Sequence, residues 1–510
     1  MFLLTLTLPF CVDSNASAQN FSLRHHPHGD NSQSSTGWSV ELNGDGEYLV
    51  FGNANYTDEI DSLYYSSVVT SLRVSGNGNV LTMDWVNEPL MVSYPGWANG
   101  ADRLVGGGYV IGGNNLVTDS MGELIRRPVL YFFDAFGNYQ SFQELPPVGT
   151  GGIGRQAKQT TDGGFVICGD ASLNGQADAF VIKTDPFGQQ EWVQTYGGEQ
   201  LDGIISLGMR PESGYYSGGQ SMQNGTNKQL WVQALNDTGG VLWEKVWGSE
   251  NDEPNAHLTS ANDGHALIAS GWGVGPGNQF RHYLAKLNSA DGEIIWQKQY
   301  GTSSVSSVFY VVQEVIPDGD LIAAGGHRAS SQYFGALLRT TSTGDSLWMR
   351  YYQYSDSIVN DKQGFFRDVQ PTPDGGFIAC GNALTVPGIY GQDVWVVKVD
   401  QHGCLEPGCH LITGMETQIT NMHDVLRIWP NPVPAQEQIH LQLDLPKNFT
   451  LQGDLRITIT SSDGRLVHDE GFSNSSTTST LQLPQLSSGL YHLHLTDASR
   501  WISGTKVMVE

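Results

Sequence analysis

Asp162-Gly163-Gly164-Phe165-Val166-Ile167-Cys168-Gly169 is a turn that runs into a short apolar stretch ending on glycine. Asp-Gly pairs accept the positive φ of a tight hairpin, so this segment predicts a turn followed by a buried β-strand. The pattern returns along the chain. Its relatives are Asp45-Gly46-Glu47-Tyr48, Gly107-Gly108-Tyr109, Ser213-Gly214-Tyr215, Asp263-Gly264-His265-Ala266, Asp318-Gly319-Asp320-Leu321 and Asp374-Gly375-Gly376-Phe377. The residue that opens each strand falls at 48, 109, 165, 215, 266, 321 and 377, a period of 50 to 61 residues.

A second mark keeps step with the first. Gly-x-x-x-Trp occurs at Gly188/Trp192, Gly239/Trp243, Gly292/Trp296 and Gly344/Trp348, followed by the aromatics Tyr196, Trp247, Tyr300 and Tyr351. Each unit reads as four short strands, and helical periodicity is missing throughout. A single four-stranded sheet cannot bury both of its faces, so units of this size stack in series. The expected fold is all-β: a seven-bladed β-propeller over about residues 19–413, with Trp192, Trp243, Trp296 and Trp348 as wedges between blades. The last unit runs from Val394-Trp395-Val396-Val397 into Gly403-Cys404 without its own Gly-x-x-x-Trp strand. Closure is expected from residues 20–24 (NFSLR) or from residues 404–413.

Composition sets limits on function. The 510 residues hold 26 Lys+Arg against 52 Asp+Glu, a net charge of −26. A polyanion partner needs clustered bases, so nucleic acid and anionic membrane surfaces are excluded as partners. Glycine reaches 62 residues, which fits a turn-rich β chain rather than a helical one. Phe2–Val12 is apolar but too short to span a bilayer, and Ala16-Ser17-Ala18 after it forms a small-x-small cleavage site. Residues 1–18 thus read as a secretory signal peptide, and the rest of the chain has no transmembrane segment. Cys404 and Cys409 bracket Leu-Glu-Pro-Gly and are expected to form a short-loop disulfide in an oxidising compartment. Cys168 and Cys380 occupy the same place in two repeats and read as small core residues.

The repeat resembles the tandem propeller repeats of secreted bacterial proteins and, more distantly, quinoprotein propellers. Thr238-Gly239…Trp243 and Thr343-Gly344…Trp348 match the blade-docking motif of the latter. That resemblance implies blade docking and says nothing about a quinone cofactor. After a linker at 414–424 the pattern changes. Arg427-Ile428-Trp429-Pro430-Asn431-Pro432-Val433 opens a unit of about seven alternating strands, expected to be a small Ig-like β-sandwich over 425–510. This stretch resembles the type A C-terminal sorting domain of type IX secretion substrates in Bacteroidota. The matching residues are Pro430, Asn431, Pro432, Asp463, Gly464, Gly489, Tyr491 and Lys506, with Trp429 where Tyr or Phe is usual. The resemblance implies the type IX secretion machinery as a partner. It places the protein outside the cell or on the outer-membrane surface of a Gram-negative bacterium, with the domain usually cleaved on the way.

Chemistry is sparsely written. Gly344-Asp345-Ser346-Leu347 spells a lipase/esterase opening motif, but it lies inside the repeated Gly-x-x-x-Trp turn. Ser289-Ala290-Asp291-Gly292 lacks the Asp-x-Gly of a sialidase box. His25, His26 and His28 carry no companion ligands at metal-binding spacing. Asp202 and Asp252 follow the Tyr-Gly-Gly and Trp-Gly turns and are the candidate pole or channel carboxylates, a pair able to hold Ca2+ or to act as acid and base. No catalytic residue and no other cofactor is assigned. The function expected is binding of a glycan or protein ligand, adhesion included. The alternative is an extracellular hydrolase or lyase acting on polysaccharide.

Overall fold

The computed structural model describes residues 20–25, 32–57, 65–86, 88, 92–118, 121–173, 176–222, 225, 227–275, 279–301, 306–329, 332–355, 364–384, 391–412, 416–422, 425–445, 449, 451, 453–462, 464–472, 478–498 and 500–510. The signal-peptide reading, His26, His28 and Asp463 lie outside the described residues. The fold is all-β, with one short helix, Cys409–Ile412, among the described residues.

Each repeat forms an antiparallel sheet of four strands in sequence order. The unit carrying the opening motif has the strands Gly152–Gln159, Phe165–Leu173, Gln176–Thr184 and Gln190–Tyr196, paired in that order. Corresponding innermost strands along the chain are Ser32–Leu42, Ala101–Arg103 (with Val92–Pro95 before it), Asp202–Met209, His257–Ser260, Ser306–Val315 and Gly364–Pro371. Each innermost strand touches that of the next unit, and Gly364–Pro371 touches Ser32–Leu42. The arrangement is propeller-like. In such a meander the connections alternate between the two ends of a sheet. The short Asp-Gly turns therefore gather at one end, and the longer loops and unit-to-unit crossings gather at the other.

The last unit borrows its outer strand. Phe21–His25 pairs antiparallel with Gln392–Val399, from Phe21 opposite Lys398 to His25 opposite Val394. Arg24 forms an ion pair with the buried Asp393, Trp395 Nε1 donates to Ser22 Oγ at 3.1 Å, and Asn20 Nδ2 donates to the Cys404 carbonyl at 3.2 Å. The segment expected at 20–24 thus fills the gap left by the missing Gly-x-x-x-Trp strand.

The repeated glycine and tryptophan meet across units. Gly239, Gly292, Gly344 and Gly403 all have φ between +72° and +79°, and a methyl built on each would stand 2.5–3.0 Å from Trp192, Trp243, Trp296 and Trp348 respectively. Only glycine permits both the turn and the approach. A ring hydroxyl four residues after the tryptophan closes the clamp: Tyr196, Tyr300 and Tyr352 donate to the carbonyls of Gly239, Gly344 and Gly403, each at 2.7 Å. In the third case the residue is Tyr352 and not the expected Tyr351. Of the four tryptophans only Trp348 is buried; the other three are half-buried, because an outer strand covers one ring face and leaves the other edge to solvent. Phe21 takes the tryptophan's place in the borrowed strand, where a methyl on Gly78 would stand 2.6 Å from its ring.

Residues 426–509 form two sheets over one apolar core containing Val433, Ile439, Leu441, Leu455, Ile457, Leu493, Ile502 and Val509. Glu416–Met422, within the expected linker, is a strand that runs parallel to Ser346–Ser355 and meets Arg500–Val509 at Trp501. The Cys404–Cys409 disulfide is present. Its loop reaches the C-terminal sheet: Glu406 Oε2 lies 3.0 Å from His492 Nδ1, and Thr460 Oγ1 donates to the Pro407 carbonyl at 3.2 Å. Trp501 shares a core with Trp348, Trp395, Leu405 and both cysteines.

Candidate functional site

The innermost strands carry a feature that the motif reading did not anticipate. Pairing with the second strand skips one residue between Gly37/Ser39, Gly154/Gln156, Ile204/Ser206, Phe309/Val311 and Phe366/Asp368. The skipped residues are Trp38, Arg155, Ile205, Tyr310 and Arg367. A bulge re-aims its side chain out of the ladder. In the second unit a break in the inner strand replaces the bulge, and Trp97 sits in that break with its amide on the Arg155 carbonyl at 3.1 Å.

The residue after four of the five bulges stitches neighbouring units together. Ser39 Oγ and Val40 N donate to Asp368 Oδ2 at 3.1 and 2.9 Å. Ser206 Oγ donates to the Ala256 carbonyl at 3.1 Å and accepts from Leu258 N at 2.9 Å. Gln156 bonds the Asn99 carbonyl and the Leu207 amide. With those groups satisfied between units, the bulged side chains are free to meet one another. The Arg367 guanidinium carbon lies 4.5 Å from the centroid of Tyr310 and 4.9 Å from that of Trp38. Arg155 lies 4.5 Å over Trp97 and pairs with Asp170 at 2.8 Å. His257 stands edge-on to Tyr310 at 5.5 Å, and burial, aided by Arg367, pushes its pKa down to about 3, so its ring is neutral. Trp38 is fixed by its Nε1 donating to Asn53 Oδ1 at 2.7 Å. The result is a collar of aromatic planes and guanidinium groups around the inner strands.

A second layer is acidic. Glu41, Asp102, Lys158 and Asp368 interact, with Lys158 Nζ 3.2 Å from Asp102 Oδ1. Burial raises the Glu41 carboxyl to about 8 and that of Asp368 to about 7. Burial works against the Lys158 ammonium, but Asp102 and Glu41 outweigh it and hold its pKa above the ordinary lysine value.

The two expected carboxylates do not form a pair. Asp202 is fully buried at the start of its inner strand, accepts from Gly198 N at 2.8 Å, and lies close enough to Asp178 to help burial raise that carboxyl's pKa. Its counterpart one unit on is Glu253, which accepts from Ser249 N at 2.6 Å in the same i+4 pattern. Asp252 is exposed and accepts from Lys228 N at 2.8 Å. Adjacent acids in Asp252-Glu253 make the register ambiguous from sequence. Among the described residues no group of three or more His, Cys, Asp or Glu is arranged to hold a metal. A cavity of about 590 Å3 lies between the outer parts of two neighbouring sheets, lined by Tyr196, Glu199, Trp231, Gln233 and Glu244.

The bulged residues carry no motif, but their spacing is regular. Trp38, Arg155, Ile205 and Arg367 each precede the strand-opening residue of their unit by ten positions, and Tyr310 precedes Leu321 by eleven. That offset would have found them.

The C-terminal motif residues serve the fold of their own domain. Asn431 Nδ2 donates to the Lys506 carbonyl and its Oδ1 accepts from Met508 N, both at 2.8 Å, which pins Pro430-Asn431-Pro432 to the last strand. Gly464 closes a turn onto the Ser461 carbonyl at 2.8 Å. Gly489 opens the strand of Tyr491, whose hydroxyl donates to the Ser487 carbonyl at 2.9 Å. Lys506 is exposed.

Residues 427–510 match the secretion system C-terminal sorting domain family. This is the type IX sorting domain, and it marks the chain for export to the cell surface or the extracellular space. No curated protein matches the chain. Among solved structures the chain is similar to a protein of unknown function from Dyadobacter fermentans, at 11% identity over 72% of this chain and 94% of that one, with a TM-score of 0.39. It is also similar to Sqt1 from Chaetomium thermophilum, at 13% identity over 71% and 85% with a TM-score of 0.38. A third is the Penicillium chrysogenum alpha-L-arabinanase solved with arabinobiose, at 12% identity over 60% and 92% with a TM-score of 0.37.

Proposed function

We propose that this chain, which ends in a type IX sorting domain, is a secreted or surface-displayed binding protein whose body is a seven-bladed β-propeller and whose ligand is a glycan. The succession of touching inner strands from Ser32–Leu42 round to Gly364–Pro371, with Phe21–His25 completing the last sheet, supports seven blades over residues 19–413. Residues 1–18 are the signal peptide of a Bacteroidota protein. The two-sheet unit at 425–510 is an Ig-like sandwich that serves as the export label, and the type IX machinery is its partner.

One observation carries the ligand reading: the inner strands carry two clusters of rings and cationic or polar groups, Arg367 with Trp38, Tyr310 and His257, and Arg155 with Trp97. Aromatic planes stack on the apolar faces of sugar rings, and guanidinium and imidazole groups supply directional hydrogen bonds.

The polysaccharide-cleaving alternative draws on the half-buried Glu41 and the buried Asp368, two carboxyls with raised pKa values near Lys158. Binding is the stronger reading because Asp368 is committed to holding Ser39 and Val40 between units. The test is an oligosaccharide array with the purified mature chain, run beside a polysaccharide-degradation screen. Saturable binding without new reducing ends is expected. Turnover of a polysaccharide would replace the binding reading with the enzymatic one, and the absence of any glycan ligand would overturn both.

A further inference from the structure

The chain offers two carboxylates for every base, yet some arginines, Arg210, Arg281 and Arg367 among them, have no ion pair among the described residues. Arg24, Arg155, Arg339, Arg456 and Arg500 all sit against an aspartate. Arg367 has no ion pair among the described residues, and its Nε is buried without a hydrogen-bond partner there. Three rings surround its guanidinium carbon, Tyr310 at 4.5 Å, Trp38 at 4.9 Å and Phe365 at 5.6 Å. These aromatic contacts hold the group in place, and among the described residues no carboxylate answers its charge.

A guanidinium held among aromatic rings with no carboxylate to answer it is a receptor for a planar anion. A carboxylate fits it with two parallel N–H···O bonds. The surroundings agree with a single local negative charge. His257 is neutral, the Arg155 charge is answered by Asp170, and Asp368 is turned away toward Ser39 and Val40. A polyanion would meet the net charge of −26, whereas one carboxylate needs only the one guanidinium. Trp97 and Tyr310 in the same collar favour a sugar as the body that bears the carboxylate.

We infer that the collar recognises an acidic glycan, with a uronate carboxylate seated on the edge of Arg367 and the sugar ring against the neighbouring aromatic planes. This rests on the glycan-binding reading and narrows it to a substrate class.

The probes are a galacturonate trimer, its carboxyl-reduced counterpart, a sulfated trimer and an acidic tripeptide, each titrated calorimetrically into the full mature chain. The galacturonate trimer is expected to bind at least about 30-fold more tightly than the reduced one, the factor that 2 kcal/mol represents. Arg367→Gln should abolish that difference while its Tm stays within a few degrees of the parent. Arg367→Lys, which keeps the charge but loses the fork, should retain part of it. Equal binding of the acidic and reduced trimers overturns the inference and leaves the glycan reading standing. Preference for the sulfated trimer or the tripeptide overturns the carboxylate-sugar assignment. Failure of every saccharide to bind removes the glycan reading as well.

Discussion

Arg24→Met tests whether the N-terminal strand completes the last sheet. Arg24 is paired with Asp393, whose side chain is 1% exposed, and the guanidinium also lies 5.6 Å from the Tyr354 ring. Methionine keeps the length of the aliphatic stem and removes the charge. Breaking a buried pair from one side costs about 3–5 kcal/mol. Arg24 retains 18% exposure, so the low end applies, about 3 kcal/mol, with roughly 0.5 more for the lost ring contact. The double change Arg24→Met with Asp393→Asn removes the stranded charge and should recover most of that loss, to within about 1 kcal/mol of the parent. Equilibrium urea unfolding followed by tryptophan fluorescence reads all three proteins, and Trp395 reports from the same strand pair. A single variant within about 1 kcal/mol of the parent, or a double variant as unstable as the single one, would refute the reasoning.

Trp348→Ala should cost about 3–5 kcal/mol, because the ring is 6% exposed and seals Gly403, whereas Trp192→Ala, half-buried, should cost about 2; equal losses would deny the difference in burial. Acid should weaken the fold. His257, His282, His327 and His494 are buried, with pKa values pushed to about 3 for His257 and His494, about 4 for His327 and well below the usual value for His282. Between about pH 6.5 and 4.5 the unfolded chain takes up four protons that the folded chain refuses. Glu41 and Asp368, raised to about 8 and 7, hold two that the unfolded chain releases above about pH 4.5. Over these six groups the net is two protons, so together they should lower stability by up to about 2.7 kcal/mol per pH unit as pH drops through that window. His282→Phe should reduce the slope by about one proton, and a flat profile would contradict the burial of these rings. Replacing both Cys404 and Cys409 with serine opens a six-residue loop and should cost about 2 kcal/mol, with faster proteolytic release of the C-terminal domain that the loop touches. Unchanged release would separate the disulfide from the docking.

The repeat and its consequences were legible because they are local. Asp-Gly turns and Gly-x-x-x-Trp strands announce themselves within ten residues, and Gly239 against Trp192 shows why those two types recur together. The borrowed strand at 20–24 was legible as one of two alternatives, since the last unit was visibly one strand short. The collar was not legible as a site. A bulge is a matter of two residues facing one across a ladder, and nothing in Arg155-Gln156 or Arg367-Asp368 states which residue will be skipped. Trp38 and Arg367 also come from units far apart in the chain, and only the succession of inner strands brings them together. The register of Asp202 and Asp252 was hidden for a related reason. Both follow a glycine turn, while the structure places Glu253 at the position that matches Asp202.

The most direct test of the collar is a crystal structure of the mature chain soaked with the saccharide selected by the array. Density for a sugar ring in contact with Trp38, Tyr310 and Arg367 is the predicted result. A saccharide bound in the outer cavity beside Tyr196, Trp231 and Glu244, with the collar empty, would contradict it.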